Sequence, residues 1–280
     1  MLRKRFYRDC YLKTGWLPMQ PLARSLAVGD VCQLQHGRFQ PLLNIVDAHL
    51  VEQVAVSQPI ALDPIDWRFG QDGQQTFCET LWSEDEQGEH RAFTKQVLEF
   101  SQAGGYAFSA GAVQARLLTN WHQIRDDVTL KLTQLRYGFR EAYVVSGVLQ
   151  ASDWALVVAA QEGARLDLST ALAGGDRHTL LGHGSTRMQQ SQGIAEFEQS
   201  QGQSGFFFKA RKLLLSDAMY DHYLGLLLDN PADLRPAEIA NWLNAPLLNL
   251  TRSNELNLTT SIGFFAWAEL SLDDVERLAG

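Results

Sequence analysis

The sequence predicts an α+β protein: a twisted, largely antiparallel central sheet, helices at its periphery, and a short apolar C-terminal peptide. Three observations predict it. Two-residue alternation recurs through residues 93–215. Helical patterns fall at the start, at 110–127 and after residue 216. The C-terminal segment carries an aromatic cluster, Ile262-Gly263-Phe264-Phe265-Ala266-Trp267, and then a helix signal at Ser271–Leu278. A chain terminus is ordinarily polar and frayed. One this apolar must be docked on the body, or it would be an exposed patch that invites association. A detachable apolar tail covering another apolar surface is the layout of an autoinhibited protein. The chain therefore divides into a body, 1–252, and a tail, 253–280.

Residues 1–14 form a basic helix, ended by Pro18 and Pro21. Short strands fill 30–60, broken by Gly37, Pro41 and Pro59. The polar stretch 63–90 is an excursion or a hairpin tip. Strand alternation resumes at Phe93–Phe100. Val113, Leu117, Trp121 and Ile124 share one face of a helix over 110–127, and Val128–Gln134 alternates again as a strand. Ala142–Ala160 makes two strands broken near Ala151-Ser152-Asp153. Ala164, Leu166 and Leu168 oppose Arg165, Asp167 and Ser169 with a period of two. Phe206–Leu215 is a buried strand with two or three cationic positions. Helices follow at Asp217–Asp229, with Ser216 as N-cap, and at Pro236–Asn244, with proline in the first turn.

Composition excludes several classes. The chain has 280 residues, 45% of them hydrophobic, enough for a substantial core. A net charge of −8 lacks the broad basic surface that nucleic-acid binding needs. The longest apolar run, Trp154–Ala160, falls far short of the ~18 residues of a membrane helix. The basic start is not followed by an apolar stretch, so no secretory leader is expected and a cytoplasmic protein is. Three cysteines, Cys10, Cys32 and Cys78, with no C-x-x-C, point to reduced thiols.

No catalytic constellation is legible. Gly182-His183-Gly184-Ser185-Thr186 lacks the Gly-Lys-Ser/Thr ending of a phosphate loop, and a hairpin tip is the plainer reading. No histidine pair has metal-ligand spacing, so neither a metal nor a cofactor is expected. Asp126-Asp127 suits a helix end as well as it suits acid–base chemistry. A small-molecule enzyme built around 174–190 would have to rest on His178 and His183. Cys10 follows Arg3, Lys4, Arg5 and Arg8, whose charges lower a thiol's pKa and attract anionic lipid. It is either an acylation site beside a basic patch or a cysteine packed in the core.

Taken in order, the pieces resemble the gasdermins, and the bacterial members in particular. The resemblance is carried by Asp127–Gln134 continuing through Phe139–Ser146, by Gly205-Phe206-Phe207-Phe208-Lys209-Ala210, and by Gly15–Leu22 with Gly29-Asp30-Val31-Cys32. It spans most of the chain but is diffuse. It implies a non-enzymatic pore-forming protein held inactive by a short C-terminal peptide and lipidated near its N-terminus. That favours Cys10, although it is the tenth residue rather than one of the first few. It also implies an activating protease, caspase-like or similar, cutting within 247–262, for which Arg252-Ser253 or a nearby leucine is the best candidate. The tail contacts would be Phe264, Phe265, Trp267 and Leu270. The inactive monomer would become a homo-oligomeric β-barrel in the inner membrane and kill the cell as an antiphage defence. A different class fits too: a soluble binding or scaffold protein whose C-terminal segment is only its last core element.

Overall fold

The computed structural model describes residues 2–19, 22, 26–35, 38–63, 67–84, 90–134, 142–170, 186–215 and 265–279. Its largest feature is a pair of long antiparallel strands. β10 (Tyr143–Ala159) runs beside β13 (Ile194–Leu215) along its full length, with four register shifts. On its other edge β10 pairs in turn with β2 (Asp30–Gln35), β9 (Gln114–Leu117) and β8 (Tyr106–Gly111). β3 (Arg38–Asn44) continues from β2, β4 (Ile60–Ala61) from β9, and β5 (Arg68–Gln71) from β8. β1 (Leu17–Pro18) and β14 (Phe265–Glu269) both lie on the far edge of β13. Among the described residues these ten strands form one open antiparallel sheet.

A second sheet of four strands extends from the first. It runs β12 (Thr186–Gln192), β11 (Ala164–Thr170), β7 (His90–Phe100), β6 (Gly73–Glu84). Its two faces differ. Leu98, Phe100, Ala164, Leu166 and Leu168 are buried against Ala107, Ala155, Val157 and Ala159 of the large sheet. The alternate positions include Glu79, Lys95, Glu99 and Arg165, with Arg165 bridging Glu99 at 3.6 Å and Asp167 at 2.8 Å. β12 turns into β13 through Gly193, whose φ of 65° is the left-handed backbone such a turn requires.

Helix α1 (Lys4–Thr14) forms as the sequence predicts, but Gly15 ends it, at φ 68° with its N–H donating to the Tyr11 carbonyl, before either proline is reached. Its inner face, Phe6, Tyr7 and Cys10, enters an aromatic core with Phe69, Tyr106, Phe108 and Phe207.

Several expectations are corrected. Residues 110–127 are not one helix: 106–117 form β8 and β9, and α2 spans Trp121–Gln134. Trp121, Ile124, Val128 and Leu132 make its buried face, so the alternation in 128–134 is helical periodicity read over too short a window. The stretch 63–90 is mostly strand among its described residues (β5, β6 and the start of β7). Residues 142–160 are one strand, with a register shift at Ala151/Asp153 where a break was expected. The helices expected at 217–229 and 236–244 lie outside the described residues.

Candidate functional site

The tail docks as a strand followed by a helix. β14 adds to the edge of β13 in antiparallel register, Phe265 opposite Leu215 and Glu269 opposite Arg211. Alternation turns Phe265 and Trp267 to one side, where they pack on Ala142 and Leu213. Trp267 also reaches α2: its indole N–H donates to Thr129 Oγ1 at 2.8 Å, and its ring meets Trp121 edge-on at 4.9 Å between centroids. The Arg211 guanidinium lies over Trp121 at 5.6 Å and pairs with Glu269 at 3.5 Å. Tail, β13 and α2 thus share one aromatic and cationic cluster.

Leu270 turns the chain inward. It is 7% exposed within the main core, and its carbonyl accepts from Tyr11 Oη of α1 at 2.5 Å. Burial, then the carboxylates of Glu269 and Asp274, raise the Tyr11 phenol above its ordinary value, so it remains a donor.

Helix α3 (Leu272–Ala279) begins with a reciprocal cap. The Ser271 N–H and hydroxyl both donate to Asp274 Oδ2 at 3.0 Å, and the Asp274 N–H donates to Ser271 Oγ at 3.4 Å. The other carboxylate oxygen accepts from Lys212 Nζ at 2.8 Å and from Tyr143 Oη at 3.4 Å. Asp274 is 3% exposed, and Val275 beside it is fully buried. Burial by itself would raise the Asp274 carboxyl; the hydrogen bonds from Lys212 and Ser271 outweigh it and hold the group below the ordinary aspartate value. A carboxylate from the tail and an ammonium from the body therefore meet in a dry place.

The other expected site residues fall as follows. Phe265, Trp267 and Leu270 come together at this site; Phe264 lies outside the described residues, as do the cleavage candidates Arg252 and Ser253. Cys10 is fully buried on the inner face of α1. Burial first, then Asp9, push its thiol well above the usual range, while only Lys13 acts downward. That corrects the expectation that neighbouring cations activate it. Thiol reagents should therefore label Cys10 of the intact folded protein at least about tenfold more slowly than a free cysteine; labelling followed by mass spectrometry measures this. Of the four basic residues, Lys4 and Arg8 are exposed. Arg3 is paired with Glu196 and with Glu198 (2.7 Å), and Arg5 with Asp72 at 2.8 Å.

Sequence reasoning missed Asp274 as a tail contact and Lys212, Tyr11, Tyr143, Thr129 and Trp121 as tail partners. Two signals were present. A lysine inside the apolar run Phe206–Leu215 needs a partner if its neighbours are buried, and Ser271-x-x-Asp274 is a cap pattern. Among the described residues no group of three potential ligands could hold a metal ion. Asp126 and Asp127 are exposed on α2, and His178 and His183 lie outside the described residues.

No protein-family model matches the sequence, and a search of curated proteins returns no match. A search of solved structures does return matches. The chain is similar to a bacterial gasdermin. That protein is the bacterial gasdermin from Bradyrhizobium tropiciagri; the match covers 75% of this chain and 86% of that chain, at 11% identity and a TM-score of 0.31. A likeness this distant decides nothing about activity, and the functional reading rests on the chain's own contacts.

Proposed function

We propose that this chain is an autoinhibited pore-forming protein of gasdermin type, and that β14 and α3 are its removable latch. The observation that carries the reading is the place of the tail. It is neither in open solvent nor threaded through the sheet: among the described residues it is an edge strand whose one strand partner is β13, followed by a capped helix. A segment held that way can leave without breaking the β10–β13 ladder.

In this reading a protease, caspase-like or similar, cuts within 247–262, with Arg252–Ser253 as the assigned bond. Tail binding then becomes intermolecular, its effective concentration falls from the mM range, and the tail dissociates. The freed body binds the anionic inner membrane through the basic residues of α1, with an acyl chain on Cys10 once that thiol is uncovered. No helix among the described residues is long and apolar enough to cross a bilayer, so crossing falls to strands. β6 and β7 have 12 and 11 residues, and a membrane strand needs about 9–11. The apolar face with Leu98, Phe100, Leu166 and Leu168 turns from the body to lipid, and the face with Lys95, Glu99 and Arg165 lines water. Copies must close into a ring, because an open sheet edge is not tolerated in hydrocarbon. The leak kills the cell and so limits phage spread, and no catalytic step is involved.

The test is dye release from phosphatidylglycerol-containing vesicles. Release is expected after cleavage in 247–262 or from a chain ending at residue 252, and not from the intact protein. A truncated protein that stays folded yet neither oligomerises nor leaks overturns the reading. One observation favours the scaffold reading instead: Leu270 and Val275 belong to the main core. On that reading the same truncation unfolds the body, which loss of its circular dichroism would report.

A further inference from the structure

We infer that α1 is a second lock, independent of the tail, which fastens the roots of the four-stranded sheet through Arg3 and Arg5, and that an anionic lipid surface is what opens it. The role in activation rests on the pore-forming reading; the lock itself does not.

The contacts converge on one place, where the small sheet leaves the large one. Asp72, at φ 59° in the turn between β5 and β6, is the root of β6, and Arg5 holds it at 2.8 Å. Glu196 and Glu198 lie on β13 just after the Gly193 turn that leads out of β12, opposite Val158 and Leu156 of β10, and both accept from Arg3. Asp9 of α1 accepts from Tyr106 Oη at 2.8 Å, at the start of β8 and just beyond the root of β7. Gly104, between β7 and β8, donates its N–H to the carbonyl of Ala159, the last residue of β10, and lies against the residues that lead into α1, where an added Cβ would be 3.5 Å from the Leu2 carbonyl oxygen. One helix end thus lies beside the turns that lead into β6, out of β7 and out of β12. Arg3 fixes that helix end to β13, and β6 cannot swing away from the body while Arg5, held in place by it, keeps the Asp72 carboxylate.

None of these contacts involves β14 or α3. Removing the tail breaks the Tyr11–Leu270 bond but leaves the arginine pairs in place, so a second event must release them. The charge arrangement says what that event is. Arg3 faces two carboxylates, and one oxygen of Glu198 is buried with no hydrogen-bond partner, so the cluster carries more acceptor than donor. Lys4 and Arg8 on the same helix point to solvent. Those exposed cations can meet a phosphate-bearing surface first. Guanidinium groups pair with phosphate as readily as with carboxylate, so Arg3 and Arg5 can then exchange partners.

The experiment is hydrogen–deuterium exchange of the full-length protein, comparing wild type with Glu196→Gln/Glu198→Gln and with Asp72→Asn. Amides at residues 73–76, 97–100, 164–167 and 189–192 should exchange about threefold to tenfold faster in the variants, with 265–279 unchanged. Arg3→Glu should open the same segments, and adding Glu198→Arg should close them again; that reversal, with an unchanged thermal midpoint, separates a broken lock from misfolding. In wild type, phosphatidylglycerol vesicles should open the roots and phosphatidylcholine vesicles should not. Unchanged exchange in the carboxamide variants overturns the lock, and equal effects of the two lipids overturn the lipid as its key. Roots that open while no tail-less variant releases dye would retain the lock and reject the pore.

Discussion

Lys212→Met in the full-length protein is expected to detach the tail without any cut. The substitution keeps the length and apolar character of the stem in the sheet but leaves the Asp274 carboxylate buried without its cation. Breaking a buried pair by removing one member costs about 3–5 kcal/mol, a factor of roughly 150 to several thousand in the docking equilibrium. The loss should appear as faster hydrogen exchange at 265–279, with β10, and β13 up to residue 210, still protected. Glu269→Gln is the matched control. Its carboxylate is 78% exposed where it meets Arg211, and such a pair contributes about 0.2–1 kcal/mol. Equal protection of the tail in wild type and Lys212→Met would show that the pair is not part of the latch.

The same variant should flatten the pH dependence of docking. In wild type the Asp274 carboxyl is held below its ordinary value when docked. A depressed docked value means that docking is stabilised above the free aspartate's pKa of about 4 and loses that stabilisation as pH falls through the docked value. Without Lys212, burial is opposed only by the hydrogen bonds from Ser271, so the docked carboxyl lies higher than in wild type. A docked value less depressed below the free one means that less stabilisation is lost on acidification, so docking in Lys212→Met should change less than in wild type as pH falls through about 4. Exchange of the tail at several pH values reads both slopes.

How much of this was legible in the sequence depended on whether the signal was local. α1, β11 and the apolar tail declare themselves through periodicity within one segment, and Ser271 with Asp274 marks the start of α3. α2 was misread because Val128–Gln134 alternates by chance while its burial follows the i, i+4 steps from Ile124 to Leu132. The latch itself was only half legible. Phe265, Trp267 and Leu270 are conspicuous as apolar residues near a terminus, but their partners are set by which strand β14 joins. Nothing near Lys212 in the chain points to Asp274, 62 residues away. The same holds for Arg3 with Glu196 and Glu198. A run of basic residues reads as a membrane patch, and only the fold shows that its first and third members are already paired. Cys10 was misjudged in its chemistry for a related reason: charge neighbours are visible in sequence, while the burial that outweighs them is not.

Leu270→Ala decides between a latch and a core element, and its expected result differs in place rather than in size. Emptying a buried leucine site costs about 2–5 kcal/mol, and Leu270 lies in the main core beside α1. If β14 and α3 open as a unit of their own, the whole loss falls on that opening. Exchange at 265–279 should then accelerate by about 30-fold to several thousandfold, since each 1.4 kcal/mol is a factor of ten, while the urea midpoint of β10 and β13 stays in place. The Tyr11 hydroxyl, deprived of a firmly held Leu270 carbonyl, should carry the change into α1 as faster exchange at residues 11–14 but no further. If the tail is instead an ordinary last piece of the core, the substitution lowers the stability of the whole sheet, and every protected amide from Val144 to Leu213 shifts by the same factor. A uniform shift would reject the latch, because a segment that cannot open by itself cannot be the part whose removal frees the body.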